Sequence, residues 1–462
     1  MPINSFLYPA PSTPTFAYQV ANSLRLDEPS NQGLTKTPSG AGNRRTFTLS
    51  TWVKRSKITN ETGDVQTMFE SRESNNDNCA LTFQTDDTLS IKLKVSGTNK
   101  SLITNRVFRD VSAWMHIVCA VDTTQSTESN RVKIYVNGVQ ETSFGTEDYP
   151  SQDAQTSFNN SVGHGIGKRS DTTSQNFDGY LTEVVMIDGS ALAPTSFGEF
   201  DSDSPTIWKP IDISGLTFGT NGFYLDFEDS SALGNDVSGN NNDYSVSNLS
   251  AVDQSTDTCT NNFATLNSLF ATQDSGVISK GNTIYTASAN AWGGSGSTIG
   301  LSQGKWYFEA QINDNAGGHF FGVIDETANV NNNPHQRTGS TFYYSGSGGQ
   351  MYKDGSGSGS YGTFGASDIA GVALNLDDDE ITIYKNGSAI VTDFALSTTK
   401  NTLFVWVMGY NSGSDLVKVN FGGTPPFSIS SGNSDANGYG NFEYSVPSGY
   451  YSINTKNLAE FG

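Results

Sequence analysis

Two seven-residue runs constrain this chain more than any other feature: Val132-Lys133-Ile134-Tyr135-Val136-Asn137-Gly138 and Ile381-Thr382-Ile383-Tyr384-Lys385-Asn386-Gly387. Apolar and polar residues alternate with a period of two, which puts one face on a core and the other in solvent. The closing Asn-Gly tolerates the positive φ of a two-residue type I′ turn, so each run is the first arm of a β-hairpin. Each also follows an apolar strand ending in Asp, at Ile117 to Asp122 and at Val372 to Asp377. Antiparallel sheet is what such a chain can build, and it has the means to build it twice.

Further strands carry the same alternation. Phe47 to Val53, Ala80 to Phe83, Leu89 to Val95 and Trp114 to Val121 precede the first hairpin, and Trp306 to Ile312, Phe320 to Ile324, Ile369 to Leu376 and Leu403 to Met408 surround the second. Capped helical spacing is almost absent, and short strands joined by Gly, Asn and Asp specify a sandwich or jelly roll. A length of 462 residues allows two to four domains at roughly 100–200 residues each. The abundance of Ser, Gly and Asn could signal disorder, but 27 Phe, 19 Tyr and 6 Trp supply the bulky apolar groups that disordered chains lack. The expected order is an extended Pro-rich arm over 1–22, a first sandwich over 23–205, an Asn-rich, partly structured connector over 206–270, a second sandwich over 271–430 and a C-terminal segment over 431–462. The arm holds Pro2, Pro9, Pro11 and Pro14 between Phe6, Tyr8 and Phe16. It has no means of burying these rings alone, so its own domain or a partner must cover them.

Charge narrows the partners. With 26 basic against 47 acidic residues the net charge is −21, which disfavours nucleic acid and anionic membrane surfaces. No apolar run reaches the ~18–20 residues of a membrane-spanning helix, and no secretory leader is readable before Arg25. Cys79, Cys119 and Cys259 stand apart without metal or disulfide spacing, and His116, His164, His319 and His335 are scattered. His116 fits a packed structural histidine.

A hydrolytic site would need paired carboxylates. The nearest pattern is Tyr224-Leu225-Asp226-Phe227-Glu228, where Tyr224 holds the place of a first Glu, and Glu183 and Asp188 fall on opposite faces of one strand. The expectation is that the protein is not an enzyme. Oxygen-rich clusters at Asp226, Asp229, Asp236, Asn240 and Asp243, and at Asp171 and Asp178, could hold calcium or could be ordinary Asx turns, which use the same residue types.

Residues 47–200 resemble a laminin-G-like, concanavalin A-like lectin domain through FTLSTWVKRS, TMFESRESNN, WMHIVCAVDTT, VKIYVNGVQ, IGKRSD and FDGYLTEVVMIDGSAL. Residues 277–430 resemble a SPRY domain through GKWYFEAQI, FFGVID, YYSGSGGQMYKDG, DIAGVALNLDDDEITIYKNGSAI, LFVWVMGYN and VKVNFGG. The resemblance implies an all-β fold of two concanavalin A-like jelly-roll β-sandwiches in tandem, and laminin-G-like domains often hold calcium at the rim. The tandem, with its GFYLDFEDSSALGNDVSGNNND connector and GYYSINTKNL end, is similar to virion proteins of tailed marine bacteriophages, including those of cyanobacteria. That likeness implies a tail fibre, spike or surface adhesin on the particle exterior. It would display its sandwiches to a host-surface glycan or protein and join other virion proteins through Phe6, Tyr8 and Phe16 of the arm. A homo-oligomer would follow, commonly a trimer in fibres, although no heptad seam specifies one. The alternatives are a purely architectural head or tail decoration and a glycan hydrolase. Rim residues suited to a sugar are Trp292, Tyr343, Tyr344, Tyr352 and Tyr361, which could stack on rings or pack in the core, with Asn75, Asn76, Asp77 and Arg169 as polar contacts.

Overall fold

The computed structural model describes residues 17–58, 63–272, 276–287, 291–312, 318–330, 341–397, 401–410 and 416–462. The first sandwich is built from β1 (Ser23–Leu26), β2 (Gly33–Lys36), β3 (Thr46–Arg55), β4 (Gln66–Arg72), β5 (Asn78–Phe83), β6 (Thr88–Val95), β7 (Thr98–Val107), β8 (Met115–Asp122) and β9 (Val132–Val136). It continues with β10 (Val139–Gln140), β11 (Phe144–Glu147), β12 (Gly163–Ile166), β13 (Gly179–Asp188), the small ribbon β14 (Gly198–Phe200) and β15 (Trp208–Pro210), then β16 (Phe223–Leu225), β17 (Ser245–Ser247) and β18 (Gln254–Ser255). One sheet runs β10-β9-β8-β3-β13-β1-β18 with β16 also on β13, and the facing sheet runs β11-β7-β6-β5-β4-β12-β2-β17. Their inner faces meet in one apolar core that includes Phe47, Leu81, Phe83, Ile117, Ile134 and Leu181.

The second sandwich comprises β19 (Leu266–Ala271), β20 (Val277–Ser279), β21 (Ile284–Thr286), β22 (Trp292–Leu301), β23 (Lys305–Ile312), β24 (Gly318–Asp325), β25 (Thr341–Ser345) and β26 (Gln350–Lys353). It is completed by β27 (Ser356–Ser358), β28 (Ile369–Asn375), β29 (Glu380–Lys385), β30 (Ser388–Ala395), β31 (Leu403–Tyr410), β32 (Leu416–Asn420) and β33 (Tyr451–Ser452). Its sheets run β20-β21-β32-β23-β28-β29-β30 and β19-β22-β31-β24-β25-β26-β27. Apart from β11, the β14–β15 ribbon and the added strands β16 and β33, the two sandwiches share one strand order. β28, β29 and β30 stand where β8, β9 and β10 stand, β23 where β3 does, and the β24–β27 meander where β4–β7 lies.

The repeated hairpin is the same device at atomic level. Asn137 and Asn386 both have φ 49, and Gly138 and Gly387 both have φ 78, the left-handed pair that a type I′ turn requires. In each, the Asn side-chain oxygen also accepts a backbone N–H from the neighbouring strand, from His116 at 2.7 Å and from Ile369 at 2.9 Å. The backbone N–H of each Asn in turn donates to the carbonyl of that same residue. The Asn thus serves the turn through its φ and the adjoining strand through its amide.

The segment expected as a connector is largely part of the first sandwich. β16 pairs with β13, β17 with β2 and β18 with β1. The C-terminal segment likewise closes the second sandwich: β33 lies parallel to β23, and helix α1 (Thr455–Phe461) starts at Asn454, whose side chain accepts the Asn457 N–H. The two sandwiches share a polar seam. Lys54 on β3 reaches Asp257 at 2.7 Å, the Asn262 amide oxygen at 2.7 Å and the Phe263 carbonyl at 3.0 Å, with both charged side chains 1% exposed. Tyr180 donates to the Gly281 carbonyl at 2.7 Å, and Asn282 to that of Ser56 at 2.7 Å. A buried charge so enclosed needs its partner, and removing either one leaves an uncompensated ion. Among the described residues no helix is long and apolar enough to cross a membrane.

Candidate functional site

On the β4–β7 meander, alternation sends Cys79, Leu81, Phe83, Leu89, Ile91, Leu93 and Leu102 into the core. The opposite positions face outward and are polar. Pairing aligns Glu70, Ala80, Lys92 and Ser101 in one row across the sheet, with Arg72, Asn78, Lys94 and Asn99 in the next. Ala80, the smallest of these, leaves a depression of about 200 Å³ walled by the long side chains around it. The 167–176 loop folds over β12 to form one wall and delivers Arg169 and Gln175. It can lie that close because of Gly165, where a Cβ would stand 2.3 Å from the Lys168 carbonyl oxygen.

Charge is concentrated here. Arg72 Nε contacts Glu70 Oε1 at 3.0 Å and Asp171 Oδ2 at 3.1 Å, and its Nη1 donates to Asn75 Oδ1 at 3.2 Å. Arg169 holds Asp171 through two bonds of 3.1 Å and donates to Gln175 at 3.0 Å. Glu70 Oε2 accepts the Ser170 amide at 3.2 Å and its hydroxyl at 2.9 Å. Both carboxylates are therefore occupied. Lys92, half-buried in the floor, makes no hydrogen bond or ion pair with the described residues. Burial, followed by repulsion from Arg72 and Arg169, holds its ammonium below the ordinary lysine range. The groove thus presents fixed guanidinium groups, an unspent ammonium and the hydroxyls of Thr67, Thr82, Ser90 and Ser101, a set suited to holding a hydroxylated ligand.

Of the expected contact residues one lies in the groove and three in the turn beside it. Arg169 lines the groove, while Asn75, Asn76 and Asp77 form the β4–β5 turn at its end, tied down by Lys94 to the Asn75 carbonyl (2.7 Å), Gly97 to the Asn76 carbonyl (2.9 Å) and Ser96 to Asp77 Oδ1 (2.6 Å). Glu70, Arg72 and Lys92 were missed. Their signal is the outward alternation of FESR and IKLKV, which becomes a cluster only once the strand register is known.

Two of the aromatic candidates need correction, and the other three are partly buried. Tyr343 and Tyr344 are both 0% exposed, because successive residues of β25 point to opposite faces and both faces are covered. Tyr344 lies in the inner core, and Tyr343 packs on the outer face with Phe320, Trp406 and Met408. Trp292 is half-buried between Tyr410 at 4.8 Å and Phe320 at 5.5 Å, Tyr352 meets the Phe320 ring edge-on at 5.2 Å, and Tyr361 packs on the inner core. Phe6, Tyr8 and Phe16 lie outside the described residues.

The oxygen-rich cluster makes Asx turns. Asp236 accepts the amides of Tyr224 and Ser238 at 2.9 Å each and of Asn242 at 2.7 Å; Asp243 accepts the Asp236 amide at 2.9 Å. Asp229 accepts from Ser231, Asp226 from the Glu228 amide, and Asn240 donates to the Gly219 and Gly222 carbonyls. Asp178 faces Lys57 at 3.3 Å. Among the described residues no group of three His, Cys, Asp or Glu side chains is placed to hold a metal ion.

A buried acid lies elsewhere in the first sandwich. Glu183 sits at φ 50 in a register shift of β13, an uncommon conformation for a residue other than glycine. It accepts Tyr224 Oη at 2.8 Å and Tyr18 Oη at 3.2 Å, and burial pushes its pKa up to about 7 against those bonds. His116 is packed as a structural residue, stacked on Trp52 at 4.9 Å and bonded to Ser50 and Trp208. Burial pushes its pKa down to about 3.

Comparison with known proteins places these features in two domain families. Residues 29–195 match the concanavalin A-like lectin/glucanases superfamily, and residues 305–424 match the SPRY domain family. Similar solved structures include the SPRY domain of human HERC1, at 21% identity over 33% of this chain and 96% of that one, with a TM-score of 0.30. A heptameric SAP-like pentraxin from Limulus polyphemus aligns at 18% identity over 38% and 80%, with a TM-score of 0.29. Domain 4 of the arabinanase AbnA from Geobacillus stearothermophilus, solved with arabinotriose, aligns at 22% identity over 37% and 73%, also at 0.29. No curated protein matches the chain. The chain carries a concanavalin A-like domain followed by a SPRY domain.

Proposed function

We propose that this tandem of a concanavalin A-like and a SPRY domain is a lectin-like binding protein that holds a glycan in the β4–β7 groove, in a binding rather than a catalytic role. The observation that carries the reading is the groove itself: Arg72 on β4 and Lys92 on β6 of the sheet, and Arg169 from the 167–176 loop braced by Asp171 and Gln175, converge over a floor lined with hydroxyls. The resemblance to tailed-phage virion proteins supplies the finer setting. In it the protein stands on the particle exterior, joined to other virion proteins by its N-terminal arm and facing a host surface. The polar seam supports a display role, since it fixes the two sandwiches relative to one another and so fixes the direction in which the groove points.

The test is a glycan array probed with the full chain and with Arg72→Ala and Arg169→Ala. Discrete glycans bound by the wild type and lost in both variants are expected. An array without signal, or with signal that both variants retain, overturns the reading. Labelling intact particles with an antibody to the chain tests the setting, and absence from the particle surface removes it.

A further inference from the structure

Building on the glycan-binding reading above, we infer that the groove's ligand is acidic: a saccharide whose carboxylate or sulfate group docks on Lys92 between Arg72 and Arg169. Within the groove and its wall three cations face two carboxylates, Glu70 and Asp171, so the site is locally positive in a chain of net charge −21. Glu70 attracts Lys92 from a distance, but neither carboxylate bonds it. Glu70 spends one oxygen on Arg72 and the other on Ser170, and Asp171 is shared between Arg72 and Arg169. Lys92 is left half-buried with three N–H donors and no acceptor among the described residues. Its strand neighbours in the row, Ala80 and Ser101, bring a methyl group and a hydroxyl.

A neutral sugar placed over this floor would strip water from the ammonium and return only hydroxyl acceptors. A carboxylate or sulfate returns a charge-assisted bond and is flanked by two guanidinium groups held in place by Asp171. The acidity of the rest of the chain limits the ligand further. A densely charged polymer would be repelled by the surrounding surface, whereas one acidic sugar in an otherwise neutral oligosaccharide meets only the groove's local charge. Carboxylate and sulfate present the same chemistry to Lys92.

The experiment is an array of matched pairs read with the full chain: uronic- and sialic-acid glycans beside their methyl esters, and sulfated glycans beside their desulfated partners. Wild type, Lys92→Met and Lys92→Arg are compared, with circular dichroism and melting confirming that each is folded. Acid-bearing members bound at least about tenfold more strongly than their neutral partners, a loss of about tenfold or more in Lys92→Met, and retention in Lys92→Arg are expected. Raising NaCl from 0.05 to 0.5 M weakens the acid-dependent signal. The two families of pairs separate a carboxylate ligand from a sulfate ligand. Equal binding of neutral and acidic partners, or binding indifferent to Lys92→Met, overturns this inference and leaves the glycan-binding reading standing. An array with no signal from any glycan overturns both.

Discussion

In the first sandwich the outer face of the β4–β7 meander carries Arg72, Asn78, Lys92 and Ser101 around an open depression, whereas the matching β24–β27 meander of the second carries Phe320, Tyr343 and Tyr352, packed with Trp406 from β31. The strand order is the same, and so is the hairpin on the facing sheet. What differs is the residue type at outward positions of equivalent strands. One face is left open and polar and the other is covered by aromatic packing, which shows how little the shared fold decides by itself.

Truncation on the two faces should therefore have opposite consequences. Trp406→Ala, at a fully buried position among aromatic rings, should cost about 3–5 kcal/mol by thermal or urea unfolding. A change below 1 kcal/mol would mean that the second sandwich's outer face is not a core. The seam joining the sandwiches predicts a similar magnitude. Lys54→Met strands Asp257 in the interior and should cost about 3–5 kcal/mol, with Lys54→Met/Asp257→Leu recovering much of the loss. Equal stability of the single and double variants would dissolve the pair.

Glu183 distinguishes the first sandwich by pH. Its folded pKa of about 7 exceeds the ordinary 4.5, so its contribution is fully present below about pH 4.5 and is lost as pH rises through 7. The ionised form faces Tyr18 and Tyr224, and Asp226, Glu228 and Cys259 lie within its electrostatic reach. Glu183→Gln should gain on the wild type across that window by roughly 3 kcal/mol, read from melts at pH 4.5 and 8. A pH-independent difference contradicts the assignment. The duplicated hairpins predict a smaller, symmetric effect: Asn137→Ala and Asn386→Ala each lose the left-handed preference and the amide cap and should each cost about 1–3 kcal/mol. Strongly unequal costs would show that the two turns are alike only in outline. The smallest stability effect belongs to Lys92→Met, within ~0.5 kcal/mol of wild type, because the ammonium has no partner to lose.

Much of this architecture was legible because it rests on local rules. Period-two runs and the two Asn-Gly turns pointed to both sandwiches, and of the polar residues singled out in the sequence Arg169 lines the groove while Asn75, Asn76 and Asp77 form the neighbouring β4–β5 turn. The groove floor was not legible, since Arg72 and Lys92 are far apart in sequence and meet only through a β4-β5-β6 register that no single strand encodes. Tyr343 and Tyr344 misled for the complementary reason: a strand covered on both faces offers neither of two successive aromatics to solvent. The integration of β16, β17 and β18 was hidden as well. Strands of two or three residues are too short to display a period, and the turn-forming Asn and Asp between them read as a linker.

The central claim is that ligand recognition belongs to the open face of the first sandwich and not to the packed face of the second. Isothermal titration of the strongest glycan from the array into wild type, Lys92→Met and Trp292→Ala, each verified as folded, tests it most directly. The account predicts that Lys92→Met weakens binding by about tenfold or more while Trp292→Ala leaves it within about twofold. Loss of binding in Trp292→Ala with Lys92→Met unaffected would contradict it.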